Sequence, residues 1–347
     1  MPSRLRRGIC RHDDEAVTAL ADAVLPLIRT RAEVWQWNTA NAHGDRMLEA
    51  VAILRQAAED DAPALGAKGM AAYRAKLDER NAALGPRPPE DQRWSTPHFR
   101  GWFILDWNAK RLAVLDRDVD AIIRTHARDR RVAAWLKDTA AALMEIDEVD
   151  AAIDWAKQAT DFDDGHQARS AADYWCELLA EHRSDELLDA RIDVFRRWPS
   201  STTAGNLYRD ARSAWPDYED EVFERLAPQP RDAVQFAHLA LKDVPLAWNL
   251  AHSLGLQDDR TWSDLAKAYE KLDPVAVLSL YTRLVERELV ETNPRNYRSA
   301  ARRLKKMRKL AVAATESAEV DELIADLRER YRRRPRLQLE FDRAGLP

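Results

Sequence analysis

The chain has 347 residues, 46% apolar and 33% charged, with only ten glycines and two cysteines. That length is long for one core and comfortable for two domains or an elongated array. So little glycine excludes most phosphate loops, βα turns and hairpins, and two cysteines exclude a disulfide framework. The net charge of −5 is uneven: residues 294–347 carry 15 Lys+Arg against 8 Asp+Glu, a balance of +7, and the 293 residues before them carry 39 against 51, a balance of −12.

The first residues, MPSRLRRGICRHDDEA, are basic but have no apolar stretch of the kind a secretory signal needs. No apolar run reaches the ~18 residues of a membrane span. The expectation is a cytoplasmic protein with no membrane partner. Cys10 and His12 have the spacing of half a zinc site, but a structural site takes four ligands and no second cysteine pair exists. The pair is kept as an incomplete metal half-site, and no cofactor is expected.

Helical periodicity follows almost without a break. Leu20, Val24, Leu27 and Ile28 form one stripe, Met47, Val51 and Leu54 the next, and Met70, Tyr73 and Leu77 a third. Each recurs at three- and four-residue steps, as one buried helix face requires. Residues 1–84 are therefore expected to be an N-terminal helical segment. Residues 85–101, GPRPPEDQRWSTPHFRG, hold four prolines and two glycines and read as a loop or linker. Residues 102–347 are expected to form a helical array with a basic end.

Around the linker, Trp94, His98, Arg100, Trp102, Asp106 and Trp107 are the densest aromatic cluster, mixed with a histidine, an arginine and an aspartate. Such a set could line a pocket. A loop pinned by its own aromatic side chains explains it equally simply. No nucleophile–base arrangement accompanies it, so no catalytic residue is assigned.

In the array, Leu136, Ala140 and Leu143, then Leu188, Ile192 and Phe195, then Val320, Leu323, Leu327 and Tyr331 repeat the one-face pattern. Asp161–His166 superficially suggests a calcium loop, but its glycine is one place early and Ala172 stands where a glutamate is needed. A polar turn between helices is expected there. Trp155, Trp175, Trp198, Trp215, Trp248 and Trp262 are expected to wedge between helices, since large aromatics dominate burial.

Prolines recur at Pro199, Pro216, Pro230, Pro245, Pro274 and Pro294. Spacings of this size match one short helix plus its connection, roughly 12 to 18 residues. Asp273-Pro274 and Asn293-Pro294 each set a capping side chain before a proline, which predicts helix starts at both. The fold expected is all-α: an α-solenoid, a degenerate tetratricopeptide-like stack of short antiparallel helices.

In 299–310 the spacing predicts an inward face of Ala300, Leu304 and Met307, continued by Ala311, with Arg302, Lys305, Lys306 and Lys309 on the other side. Arg332, Arg333, Arg334 and Arg336 form a second cluster. Basic stripes of this kind neutralise phosphates, although a solvated face has the same composition.

The runs AKAYEKLDPVAVLSLYTRLVERELVE, NYRSAARRLKKMRKL and VDELIADLRERYRRRPRLQLEFDRAGL span residues 266–346. They resemble the C-terminal helical region of bacterial SWIM zinc-finger-group proteins and of related helical proteins without the finger. DYWCELLAEHR and RIDVFRRWPSSTTAGNLY extend the similarity upstream. The resemblance implies a helical scaffold, with a protein- or DNA-interaction role belonging to the finger, and it implies no catalytic residues. Cys10-x-His12 is similar to the second half of such a finger, and the first C-x-C is absent.

The function expected is therefore a non-catalytic scaffold for a protein partner. One alternative is a nucleic-acid-associated protein using the basic C-terminal helices. The other is an enzyme with its pocket near the 94–107 loop.

Overall fold

The structure, a computed structural model, describes residues 67, 69–87, 89, 99–313 and 317–347. The stripes around Leu20 and Met47, the Cys10–His12 pair, Trp94 and His98 lie outside the described residues, as does the side chain of Arg100. Every regular element among the described residues is helical. Two compact units divide the chain, Met1–Trp155 and Ala156–Pro347.

The first unit contains α1 (69–84), α2 (Phe99–Leu115), α3 (Val119–His126), α4 (Ala133–Met144) and the start of α5 (Val149–Thr160). α2 begins at Phe99, inside the stretch read as a loop. Leu77 on α1 is buried, as its periodicity predicts, and so are Leu136, Ala140 and Leu143 on α4. Tyr73 donates to Asn108 and Arg74 pairs with Asp116 at 2.6 Å, fastening α1 to α2.

The second unit runs on through α6 (His166–His182), α7 (Leu187–Arg197), α8 (Ser201–Ala211), a 3₁₀ turn (Arg212–Asp217) and α9 (Glu219–Leu226). Then come α10 (Pro230–Gln235), continued by a π-turn (Phe236–Ala240), α11 (Val244–Ser253) and α12 (Asp259–Tyr269). α13 (Ala276–Val290), α14 (Pro294–Ala313), α15 (Ser317–Arg330) and α16 (Pro335–Ala344) complete it. Neighbours in sequence are neighbours in space: α6 packs on α7, α7 on α8, α10 on α11, α11 on α12, α12 on α13 and α13 on α14. α14 packs in addition on both α15 and α16.

The prolines act as the sequence suggests at some sites and not at others. Pro230, Pro294 and Pro335 open α10, α14 and α16, where a missing N–H forfeits no bond. Asn293 Oδ1 accepts from the Arg295 amide at 2.8 Å, capping α14. Asp273 likewise accepts from the amides of Val275 and Ala276, 3.0 Å each, but α13 starts at Ala276 rather than at Pro274. Pro216 starts no helix; it sits inside the 3₁₀ turn after Arg212, which has a left-handed φ of 49°. α9 begins three residues after Pro216, at Glu219.

Five of the six array tryptophans, Trp155, Trp175, Trp215, Trp248 and Trp262, are buried. Trp198 is half-buried, and its Nε1 donates to the Asp164 carbonyl at 3.0 Å. Arg197 completes that anchor: it bonds Asp164 Oδ1 at 2.7 Å and the carbonyls of Thr160 and Asp163 at 2.8 and 2.7 Å. The acidic run 161–165 is thus a turn between α5 and α6 whose polar groups are tied to the end of α7.

Candidate interaction face on a basic helix

α14 is 20 residues long and amphipathic. Tyr297, Ala300, Ala301, Leu304, Met307 and Ala311 are buried in the core shared with α13, α15 and α16. This matches the inward face that the spacing predicts. The exposed positions described on α14 are Arg295, Arg298, Arg302, Lys305, Lys309 and Val312. Their steps of three and four residues put them in one line along the outside of the helix. Five cations therefore span about 21 Å at 1.5 Å per residue, with no other side chain between them on that face.

None of the five makes an ion pair among the described residues. The ε-nitrogens of Arg298 and Arg302 reach only carbonyls of their own helix, Pro294 O at 3.3 Å and Arg298 O at 3.2 Å. The inner and flanking cations behave differently. Arg303 pairs with Glu288 at 2.8 Å and lies over the Tyr281 ring. Lys306 pairs with Glu270 at 2.6 Å, and Arg308 with Asp321 at 2.6 Å. Lys306 is thus spent on packing, while Arg302, Lys305 and Lys309 stay open. Arg295 and Arg298 belong to the open row although the sequence reading began it at Arg302. Stepping back from Arg302 by four and then three residues would have found both.

The second basic cluster divides in the same way. Arg334 Nη1 donates to the Leu289 carbonyl at 2.7 Å and its guanidinium stacks on Tyr331. Arg332 pairs with Glu329. Arg333 and Arg336 are exposed and have no ion-pair partner among the described residues. The Arg334–Leu289 bond ties the α15–α16 turn to the last turn of α13, just ahead of α14.

The other candidate, near the aromatic loop, becomes a cleft of about 480 Å³ lined in part by Leu77, Arg87, Trp102, Leu105 and Asp106. It brings Trp102 and Asp106 together but does not include Trp107. Arg87 pairs with Asp106, and its guanidinium lies 5.7 Å from the Trp102 ring centre. Arg128 approaches the same carboxylate at 3.6 Å and stacks on Trp135. Arg87 was not foreseen, because only the fold brings it to Trp102. Among the described residues no serine, threonine, cysteine, histidine or lysine lines this cleft.

Among the described residues no group of three or more His, Cys, Asp and Glu side chains is placed to hold a metal. None of the described helices is long and apolar enough to cross a membrane. Buried Cys176 is a free thiol, which burial pushes up to about 11. No protein-family model matches the chain, and no curated protein matches it either.

Proposed function

We propose that this protein is a non-catalytic helical-repeat scaffold, α-solenoid in kind, which holds a macromolecular partner on the outer face of α14. Helices that pack mainly on their sequence neighbours are the building principle of solenoids, which offer long side surfaces to partners. The resemblance of residues 266–346 to SWIM-group helical regions supports the same scaffold role. Two cysteines and no disulfide framework suit a reducing compartment, and the cytoplasm is the compartment we assign.

The row of five cations, unpaired among the described residues, carries the reading, because it works against the helix that bears it. Like charges at three- and four-residue steps cost a few tenths of a kcal/mol per pair, and the row contains four such pairs. Cations near a helix start also oppose its macrodipole. α14 has no acidic residue in its first turn and no basic residue in its last. A row that the fold would be more stable without calls for a partner to explain it. Between Arg295 and Lys309 the row presents charge alone, so it suits a partner that carries many negative charges.

Retention on a heparin column tests this with a generic polyanion. The native chain should elute late in a salt gradient, and the triple variant Arg298→Ala, Arg302→Ala, Lys305→Ala distinctly earlier. Equal elution would end the reading.

A further inference from the structure

We infer that the partner on α14 is the phosphate backbone of a nucleic-acid duplex, bound without regard to base sequence; this rests on the reading of α14 as a binding face. Three observations favour it over a protein partner, a single strand and a base-reading contact. First, the row has no apolar or aromatic residue between Arg295 and Lys309. Protein–protein contacts draw their energy from such anchors, packed into pockets at the interface centre. Contact with nucleic-acid phosphates needs none, since released counterions supply the free energy. Exposed Val312 lies at the far end of the row and does not centre it.

Second, single strands are gripped by aromatic platforms on which bases stack. The row offers no ring, and Tyr297, the one aromatic on α14, is buried. Third, the remaining described positions of α14 are buried or half-buried. The helix presents a single flush row of cations, as a phosphate-tracking face does. A flush row lies across phosphates, and phosphate contacts fix position without reading sequence. A duplex carries one charge per about 1.7 Å of its axis, so 21 Å of row faces ample phosphate.

The test is fluorescence anisotropy of the full chain with three probes: a labelled DNA duplex two helical turns long, its single strand, and labelled poly-L-glutamate. Five phosphate contacts give a slope of log affinity on log salt of about −4.5, or about a 500-fold loss between 50 and 200 mM salt. The triple variant Arg298→Ala, Arg302→Ala, Lys305→Ala should flatten the slope by about 2.7. The double variant Arg298→Lys, Arg302→Lys should keep the native slope, because phosphates require charge and not the bidentate fork that reads guanine. Circular dichroism confirms that each variant keeps its helices. A duplex slope that the triple variant leaves unchanged, or a strong preference among duplex sequences, overturns the inference. Tighter binding of poly-L-glutamate or of the single strand overturns the duplex while leaving α14 as a binding face. If no probe binds at low salt, the inference and the reading it rests on both fall.

Discussion

The α7–α9 segment and α14 are both rich in arginine, and they use it in opposite ways. Arg191 pairs with Asp210 at 2.7 Å, Arg196 grips Glu221 with two bonds of 2.8 Å, and Arg197 holds the 161–165 turn. Each joins two elements of the second unit. On α14 the row from Arg295 to Lys309 joins no other element among the described residues. The number of cations in a stretch therefore says little about its role; whether a carboxylate from another element reaches them says most of it. Solvation alone accounts for scattered exposed lysines, but not for an unbroken row that the helix would be more stable without.

The comparison breaks most directly at Arg191. Its side chain is 10% exposed and that of Asp210 17%. Removing one partner strands the other in a poorly hydrated site, a loss of about 3–5 kcal/mol. Arg191→Ala should lower the urea midpoint accordingly. The double variant Arg191→Met, Asp210→Leu should recover most of the loss, because no charge is then left unpaired. If Arg191→Ala unfolds no more easily than Arg302→Ala, the distinction between structural and open cations collapses.

A third treatment of positive charge appears at His126 in the first unit, where the fold keeps a further cation from forming. The ring is buried, with Nδ1 3.0 Å from the Ile122 carbonyl. Burial first, and then Lys110, lowers its pKa from 6.5 to about 4. In the unfolded chain the same group takes up a proton near pH 6.5. Between about pH 6.5 and 4 the unfolded state thus binds a proton that the native state does not. Stability should fall with pH by about 1.4 kcal/mol per unit, roughly 3 kcal/mol in all. Above pH 6.5 this group contributes no pH dependence. His126→Gln should flatten that part of the stability profile, and an unchanged profile would show that burial is not keeping the ring neutral.

Smaller effects belong to the exposed bridge. The bidentate Arg196 contact, ahead of the one from Arg225, holds Glu221 down at about 2. Arg196 is about half exposed, so solvent screens most of this, and Arg196→Ala should cost about 1 kcal/mol. With a depressed carboxylate pKa the contribution is present above about pH 4.5 and disappears as the pH falls toward 2. It should also shrink at high salt, whereas the Arg191 effect should not. A salt titration of both variants separates a screened surface bridge from a dry one.

Much of this contrast was legible in the sequence, and the unread part has one physical origin. The buried face of α14 at Ala300, Leu304, Met307 and Ala311 follows from helical period alone. So does the outward phase of Arg302, Lys305 and Lys309. Which cations are neutralised could not be read, because the carboxylates arrive from other elements: Glu270 from the end of α12, Glu288 from α13 and Asp321 from α15. The same limit hid Arg87, which reaches Asp106 and Trp102 across the proline-rich stretch. Local caps were read correctly at Asn293 and misplaced by two residues at Pro274. There the Asp273 side chain caps a turn before the helix proper begins.

The smallest effect is the most diagnostic, because its sign differs from the others. Arg295 sits in the first turn of α14, where the positive end of the helix dipole and Arg298 both oppose it. Arg295→Glu removes one repulsion and adds a favourable contact with the dipole. The variant should therefore be more stable than the native chain by about 0.5 kcal/mol, read as a small rise in the urea midpoint. Retention on a polyanion column should fall at the same time. A residue kept for folding loses stability when replaced, and one kept for binding loses only binding. If Arg295→Glu instead destabilises the protein, the row is serving the fold through contacts of its own, and the opposition between α14 and α7–α9 is wrong at its root.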